Sequence, residues 1–132
     1  MKKRKKRKSK ISNTLKIFYS NPRGIRSKEL SLQATVNKMN PDIIILVETH
    51  LVKKNSIKIQ GYDNVITRNR NTNGGGLLVA QRNNLDSKLV ILDINQTHEQ
   101  MWLQLTGPNG KINFCVEYGF HESRCTKQEI ED

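Results

Sequence analysis

Cysteine is scarce in this sequence, since the 132 residues contain two, Cys115 and Cys125. A disulfide framework is therefore not expected, and no second pair of cysteines exists to build a zinc cluster of the usual four-ligand kind. Cys115 lies in an alternating apolar run and is predicted to be a small buried hydrophobe. Cys125 lies in a polar stretch and is predicted to be exposed.

Long apolar runs are also missing. No stretch approaches the roughly 18 consecutive apolar residues that a membrane helix needs, and the first ten residues lack the apolar centre of a secretory signal. We therefore expect a soluble, intracellular protein without a membrane span. The length and the hydrophobic content of 35% suit one domain with a modest core, while the oligomeric state is left open.

Positive charge is abundant but unevenly distributed. The formal net charge is +11, and eight of these charges lie in the first ten residues, which leaves 11 − 8 = +3 for the rest of the chain. The eight are Lys2, Lys3, Arg4, Lys5, Lys6, Arg7, Lys8 and Lys10. We predict a disordered basic arm over residues 1–13 that neutralises nucleic-acid phosphates without reading sequence. It could equally serve as a nuclear localisation signal or be a solvated tail.

The first part of residues 14–132 alternates strand and helix signals. Leu15–Asn21 alternates apolar and polar side chains, which predicts a half-buried strand. Pro22 and Gly24 break this run, and a helix is predicted from Ser27 to Met39. Its expected buried face consists of Leu30, Leu32, Val36 and Met39.

A buried strand is predicted directly after this helix. Asn40, Pro41 and Asp42 should end the helix, because proline disfavours helical geometry in the residue before it. Ile43–Val47 is then a run of five apolar residues, which is typical of a central strand buried on both faces.

The second part of the chain shows strand and turn signals. Three consecutive glycines, Gly74, Gly75 and Gly76, suggest a bulge or a close backbone approach, and residues 107–110 (GPNG) predict a hairpin turn. A last helix should begin near Thr126. The predicted strands are Tyr62–Thr67, Leu77–Ala80, Lys88–Ile94, Met101–Thr106 and Lys111–Tyr118. This element order suggests an α+β layered fold.

Two polar residues follow the first two predicted strands. Glu48 closes the apolar run, where a carboxylate can hold a magnesium ion beside a phosphate. Asn21 ends the first strand, and if the two strands are parallel neighbours joined by the helix, both residues emerge at one sheet edge. Without further signals, Glu48 could instead be a solvated or salt-bridged residue and Asn21 could simply begin the turn with Pro22.

Six landmarks follow one another along the chain. They are an asparagine ending the first strand, a Pro-Asp pair before an apolar strand, Glu-Thr after it, a Gly-Tyr segment, a glycine cluster and a late tyrosine. They occur in the segments LKIFYSNPRGIRSKEL, NPDIIILVETHL, GYDNVITRNR, GGGLLVAQR and INFCVEYG, from about residue 15 to residue 124. This ordered set resembles the opening half of the endonuclease/exonuclease/phosphatase superfamily, and in particular the endonuclease domain of non-LTR retrotransposons.

The resemblance implies a fold and a set of site residues. The fold would be a partial four-layer α/β sandwich of the deoxyribonuclease I-like type, with mixed and antiparallel strands. Glu48 would be the ligand of Mg²⁺ or Mn²⁺, Asn21 an active-site hydrogen-bonding residue, and Tyr118 a residue lining the phosphate site. His50 and Arg23 would lie near the substrate. From the residues alone, Tyr118 is more typical of a core aromatic and His50 of a surface residue.

The sequence also departs from the family pattern. Phe120 stands where relatives commonly carry proline, and the later Gly-Asp-x-Asn and Asp-His motifs, which position the nucleophile and supply the catalytic histidine, are missing. His98 and His121 do not lie in such contexts. We therefore expect residues 14–132 to be the amino-terminal half of the domain, with little or no activity alone.

The implied reaction is magnesium-dependent hydrolysis of DNA phosphodiester bonds by an intracellular and nuclear protein of retrotransposon origin. Two other functions remain open at this point. One is a non-enzymatic nucleic-acid-binding remnant that uses the basic arm. The other is part of a phosphoesterase that acts on small phosphoesters.

Overall fold

A computed structural model describes residues 14–52, 55–70, 75–95 and 99–118 of the chain. The predicted basic arm, the predicted helix near Thr126, and Cys125, His98 and His121 lie outside this part. The described residues form a helix packed on a four-stranded sheet, which in turn packs on a three-stranded sheet. The expected α+β layered fold is confirmed.

The four-stranded sheet has the order β1-β2-β4-β3. Strand β1 (Ile17–Ser20) pairs in parallel with β2 (Ile43–Val47), so that Ile17 faces Ile43 and Ser20 faces Leu46. Parallel neighbours require a crossover, which is supplied by a 3-10 turn at Arg26–Lys28 and by helix α1 (Glu29–Met39). Strand β4 (Leu77–Gln81) pairs antiparallel with both β2 and β3 (Asn64–Arg68).

Strand β2 is the centre of this sheet. Its residues Ile43, Ile44, Leu46 and Val47 are at most 1% exposed, and they alternate between the two faces of the sheet. The interpretation of the five-residue apolar run as a strand covered on both sides is confirmed.

Helix α1 covers one face of the sheet with Leu32 and Val36, which are one turn apart and therefore share a face. The prediction that Leu30 and Met39 complete this face is wrong, because their side chains are 88% and 42% exposed. Successive helical residues are about 100° apart, so Leu30 lies roughly 200° from Leu32 and points to solvent. The helix ends at Asn40 as predicted. Asn40 adopts a left-handed conformation, and its N–H donates to the carbonyl of Val36 at 2.7 Å.

The three-stranded sheet is an antiparallel meander of β5 (Lys88–Asn95), β6 (Glu99–Gly107) and β7 (Gly110–Tyr118). The predicted hairpin is confirmed, since β6 and β7 pair from Gly107 with Gly110 to Glu99 with Tyr118. Cys115 was expected to be buried but is only partly so, because it pairs with Trp102 on the outer face of the sheet.

The core has two parts on opposite faces of the four-stranded sheet. On the helix side lie Ile25, Leu32, Val36, Ile44, Leu46 and Leu78, among others. Between the sheets lie Ile43, Val47, Leu77, Val79, Met101 and Leu103, among others. Fully burying each such side chain stabilises the fold by about 1.5–3 kcal/mol. No helix in the described part of the chain has the length and apolar character needed to cross a membrane.

Candidate active site

The candidate site lies where β1 and β2 end. Because these strands are parallel, the residues that follow them meet at one edge of the sheet, as the sequence predicted. The side-chain amide of Asn21 donates from Nδ2 to Oε2 of Glu48 at 2.8 Å. The same amide accepts from the backbone N–H of Arg23 through Oδ1 at 3.1 Å. Asn21 therefore both begins the turn after β1 and holds the carboxylate of Glu48.

The backbone that carries Glu48 is held in an unusual conformation. Glu48 and His50 have φ values of +56° and +61°, and a left-handed conformation costs about 1–2 kcal/mol for a non-glycine residue. Hydrogen bonds on two sides offset this cost. The carbonyl of Glu48 accepts from the N–H of Gly24 at 2.9 Å, and the N–H of His50 donates to the carbonyl of Gly75 at 2.7 Å.

Thr49, between these two residues, fixes the segment further. It is fully buried. Its N–H donates to the carbonyl of Gly76 at 3.3 Å, and its carbonyl accepts from Ile25 at 3.0 Å. Two structures therefore hold the backbone of residues 48–50 in place. On one side lies Gly75–Gly76, called the glycine segment below, and on the other side lies the turn after β1.

Tyr118 reaches the same carboxylate from the other sheet. It is the last residue of β7, and its hydroxyl hydrogen-bonds to Glu48. The site is thus built from the ends of β1 and β2 in one sheet and of β7 in the other, and it brings together residues almost 100 positions apart in the sequence.

These contacts determine the protonation states. The hydrogen bond from Asn21, followed by the one from Tyr118, lowers the pKa of Glu48 below its ordinary value of 4.5, with smaller contributions from His50 and from the charge of Arg23. Burial opposes this shift. The hydrogen bond to Glu48 raises the pKa of Tyr118 above 10.0. At neutral pH the site therefore contains an ionised carboxylate and a neutral phenol.

His50 and Arg23 lie at the rim of the site. His50 Nε2 is 3.6 Å from Oε1 of Glu48, and its side chain is 37% exposed, against 18% for Glu48. Arg23 is exposed and lies close enough for its charge to act on Glu48. A ligand at the carboxylate would therefore meet both side chains. The resemblance assigns them a place near the substrate. Their roles stay predictions.

A divalent cation such as Mg²⁺ needs several hard oxygen ligands. No group of three or more His, Cys, Asp or Glu side chains within residues 14–52, 55–70, 75–95 and 99–118 could hold a metal ion. Glu48 is ionised and about one-fifth exposed, so it can act as one hard oxygen ligand. Mg²⁺ is commonly bound through one or two carboxylates, with waters and substrate phosphates as its other ligands. The residues fit one ligand of such a site.

A buried charge cluster next to the site, formed by Glu99, Arg68 and Arg70, was not predicted from the sequence. Glu99 is 7% exposed and forms ion pairs with Arg68, at 3.3 Å, and with Arg70. It also accepts the N–H of Gly76 at 2.7 Å. One signal could have found it, because Glu99 shares the inward face of β6 with Met101, Leu103 and Leu105. A charged residue in an apolar series is buried only if it is paired.

Three of the solved structures that resemble this fold illustrate the likeness. They are an AP endonuclease from Leishmania major (TM-score 0.61, 16% identity, 90% of this chain covered), the 3′ phosphatase NExo from Neisseria bound to product DNA hairpin (0.53, 16%, 76%) and humanized TDP2 of D. rerio (0.51, 18%, 89%). No protein-family model matches the sequence, and no curated protein matches it.

The likeness shows that the chain has the deoxyribonuclease I-like fold, which confirms the expected fold class. The chain spans only part of these proteins, namely 46% of the AP endonuclease, 40% of NExo and 53% of TDP2.

Proposed function

We propose that this chain provides part of the active site of a magnesium-dependent endonuclease that hydrolyses DNA phosphodiester bonds. One observation carries the proposal: Asn21, Glu48 and Tyr118, from three strand ends in two sheets, converge in one hydrogen-bonded group. These are the residues to which the sequence resemblance assigns the site. The superfamily is that of endonucleases, exonucleases and phosphatases, and the proposed origin is a non-LTR retrotransposon.

Each residue has a proposed task. Glu48 supplies the anionic oxygen ligand, and Asn21 and Tyr118 keep it ionised and oriented. Arg23 and His50, at the rim, would contact the DNA backbone, since a cationic side chain and an imidazole both suit phosphate oxygens. When bound, a Mg²⁺ ion would neutralise the charge that develops on the phosphate.

The described residues do not provide a complete mechanism. They offer one carboxylate at the site, whereas hard cations bind firmly only when several oxygen ligands replace water. We therefore expect weak metal binding and little or no DNA nicking by the 132-residue chain alone. Magnesium-dependent nicking of a plasmid that Glu48→Ala abolishes would contradict this expectation.

Metal binding can be tested without activity. Mn²⁺ broadens the NMR signals of nuclei near it, so titration should broaden the backbone signals of residues 21, 48 and 118 first. Glu48→Gln should abolish this pattern. Glu117→Gln is the matched control, because Glu117 is exposed and precedes Tyr118 on the opposite face of β7. Broadening that is the same in Glu48→Gln and the wild type would refute the site.

A second candidate function is nucleic-acid binding without catalysis, favoured by the eight basic residues among the first ten. Duplex DNA affinity should be measured across salt concentrations for the full chain and for a variant lacking residues 1–10. If the arm makes all contacts, the deletion removes both the affinity and its salt dependence. Each phosphate contact contributes about −0.9 to the slope of the logarithm of the binding constant against the logarithm of the salt concentration. Affinity that remains after the deletion and is weakened by Arg23→Gln favours the endonuclease site instead.

A further inference from the structure

A buried carboxylate, that of Glu99, lies behind the candidate site. Glu99 begins β6, and its partner in the β6–β7 ladder is Tyr118. One of its oxygens accepts from Arg68 and Arg70 and the other accepts the N–H of Gly76. Desolvating a carboxylate is costly. For Glu99, the hydrogen bonds from two guanidinium groups and a backbone amide offset this cost.

The glycine segment connects Glu99 to the site. The carbonyls of Gly75 and Gly76 accept the N–H groups of His50 and Thr49. The segment is tightly enclosed on both sides. A Cβ at Gly75 would lie 2.5 Å from Oε2 of Glu99, and a Cβ at Gly76 would lie 2.4 Å from Oγ1 of Thr49. Glu99 and the backbone next to Glu48 are therefore both packed tightly against the same two glycines.

We propose that Glu99 is a positioning residue for Glu48, acting through the Gly75–Gly76 segment to keep Glu48 and His50 in their left-handed conformations. The proposal deepens the proposed function and rests on it for the role of Glu48. Arg68 and Arg70 take part by holding Glu99 in place. The side chain of Arg70 is 31% exposed and lies close enough to Tyr118 for its charge to act on that residue. Side chains that orient a metal ligand by bonding it directly typically change metal affinity by about 10- to 100-fold, and the effect of Glu99, which acts through the backbone, is expected at the lower end of this range.

The test compares two variants that each neutralise a carboxylate paired with arginine. Glu99→Gln removes the charge that holds Arg68 and Arg70 but keeps the size of the side chain. Asp42→Asn removes the partner of Arg82 at the other end of β2, roughly 20 Å from Glu48 at the usual rise per strand residue.

The first measurement is amide hydrogen exchange without metal. In Glu99→Gln the amides of Thr49 and His50 should exchange about tenfold faster, the factor expected when a charge-assisted hydrogen bond is lost. In Asp42→Asn they should stay within about twofold of the wild type. Unchanged exchange in Glu99→Gln, or equal acceleration in both variants, overturns the proposal. If Glu99→Gln does not fold, Arg70→Met replaces it, because this variant keeps the bonds of Glu99 to Arg68 and Gly76. It should accelerate exchange at the same two amides by a smaller factor. Unchanged exchange in Arg70→Met then overturns the proposal.

The second measurement is Mn²⁺ affinity, which separates this proposal from the function on which it rests. Glu99→Gln should weaken binding about tenfold while Asp42→Asn leaves it unchanged. Equal affinity of Glu99→Gln and the wild type overturns the positioning role. If the exchange result holds but the wild type binds no Mn²⁺ near Glu48, the backbone link is supported and the proposed metal site fails.

Discussion

The side-chain amide of Asn21 donates a 2.8 Å hydrogen bond to the carboxylate of Glu48 and thereby joins the ends of two parallel strands. This bond is the largest cause of the lowered pKa of Glu48. An N–H donor stabilises the ionised form of a carboxyl group and not the protonated form. The bond therefore keeps the candidate metal ligand charged.

Replacing Asn21 by alanine should raise the pKa of Glu48 towards its ordinary value of 4.5. The pH titration of the Glu48 side-chain carboxyl ¹³C signal measures this shift directly. Asn113→Ala is a suitable control, because Asn113 is exposed on β7 and its side-chain oxygen accepts a hydrogen bond from Gln104 on β6. An unchanged Glu48 titration in Asn21→Ala would mean that the amide does not hold the carboxylate in solution.

Removing the hydroxyl of Tyr118 should destabilise the protein most at neutral pH. The folded state lowers the pKa of Glu48, so the associated stability is present above the unfolded value and is lost as the pH falls through the folded value. Tyr118→Phe removes one donor to the ionised carboxylate. We expect a loss of about 1 kcal/mol near neutral pH, less than for a fully buried bond because the group is partly exposed.

The same loss should shrink when Glu48 is protonated. Urea unfolding at about pH 7 and about pH 3 gives the two free energies of unfolding to compare. Tyr19→Phe is the control, because Tyr19 is 59% exposed on β1, and it should show no such pH dependence. If the free energy of unfolding of Tyr118→Phe differs from that of the wild type by the same amount at both pH values, the result would argue against the bond to Glu48.

The positions of Asn21 and Glu48 could be predicted from the sequence because the patterns that place them are local. The strand, helix and strand around α1 are each encoded by periodicity and by Pro41, and the parallel pairing of strands joined by a helix places Asn21 beside Glu48. Tyr118 came from the resemblance alone. Nothing in the apolar alternation of β7 distinguishes a core tyrosine from one that bonds Glu48.

The cluster behind the site was not predicted, for a physical reason. Glu99, Arg68 and Gly76 are brought together by the packing of two separate sheets, and no local pattern encodes which sheet a strand joins. The error at Leu30 has a different origin. Apolar residues in a short helix were all assigned to its buried face, although helical geometry places Leu30 and Leu32 on nearly opposite sides.

The corrected face of α1 can be tested within one helix. Leu32→Ala should cost about 2–4 kcal/mol, since Leu32 is 8% exposed and packs in the core on the helix side of the four-stranded sheet. Leu30→Ala should change the free energy of unfolding by no more than about 0.5 kcal/mol, because Leu30 is 88% exposed. Thermal or urea unfolding of both variants measures this. Similar losses in the two would mean that Leu30 is covered in solution.

The close approach of the glycine segment to Thr49 predicts that Gly76→Ala is more destabilising than Gly61→Ala. Both glycines have positive φ values, +99° and +93°. Each substitution therefore carries a backbone strain of about 1–2 kcal/mol. A Cβ at Gly61 would meet nothing within 4 Å, whereas one at Gly76 would lie 2.4 Å from Oγ1 of Thr49.

Thr49 cannot easily yield, because it is fully buried and its backbone is bonded on two sides. Overpacking of this kind typically costs a further 1–3 kcal/mol, about the difference expected between the two variants in urea unfolding. A Cβ at Gly76 that displaces Thr49 should also shift the neighbouring Glu48. Gly76→Ala should therefore weaken Mn²⁺ binding, and Gly61→Ala should not. If both variants lose the same stability and the same affinity, the glycine segment is not packed tightly against Thr49, and it cannot transmit the position of Glu99 to the site.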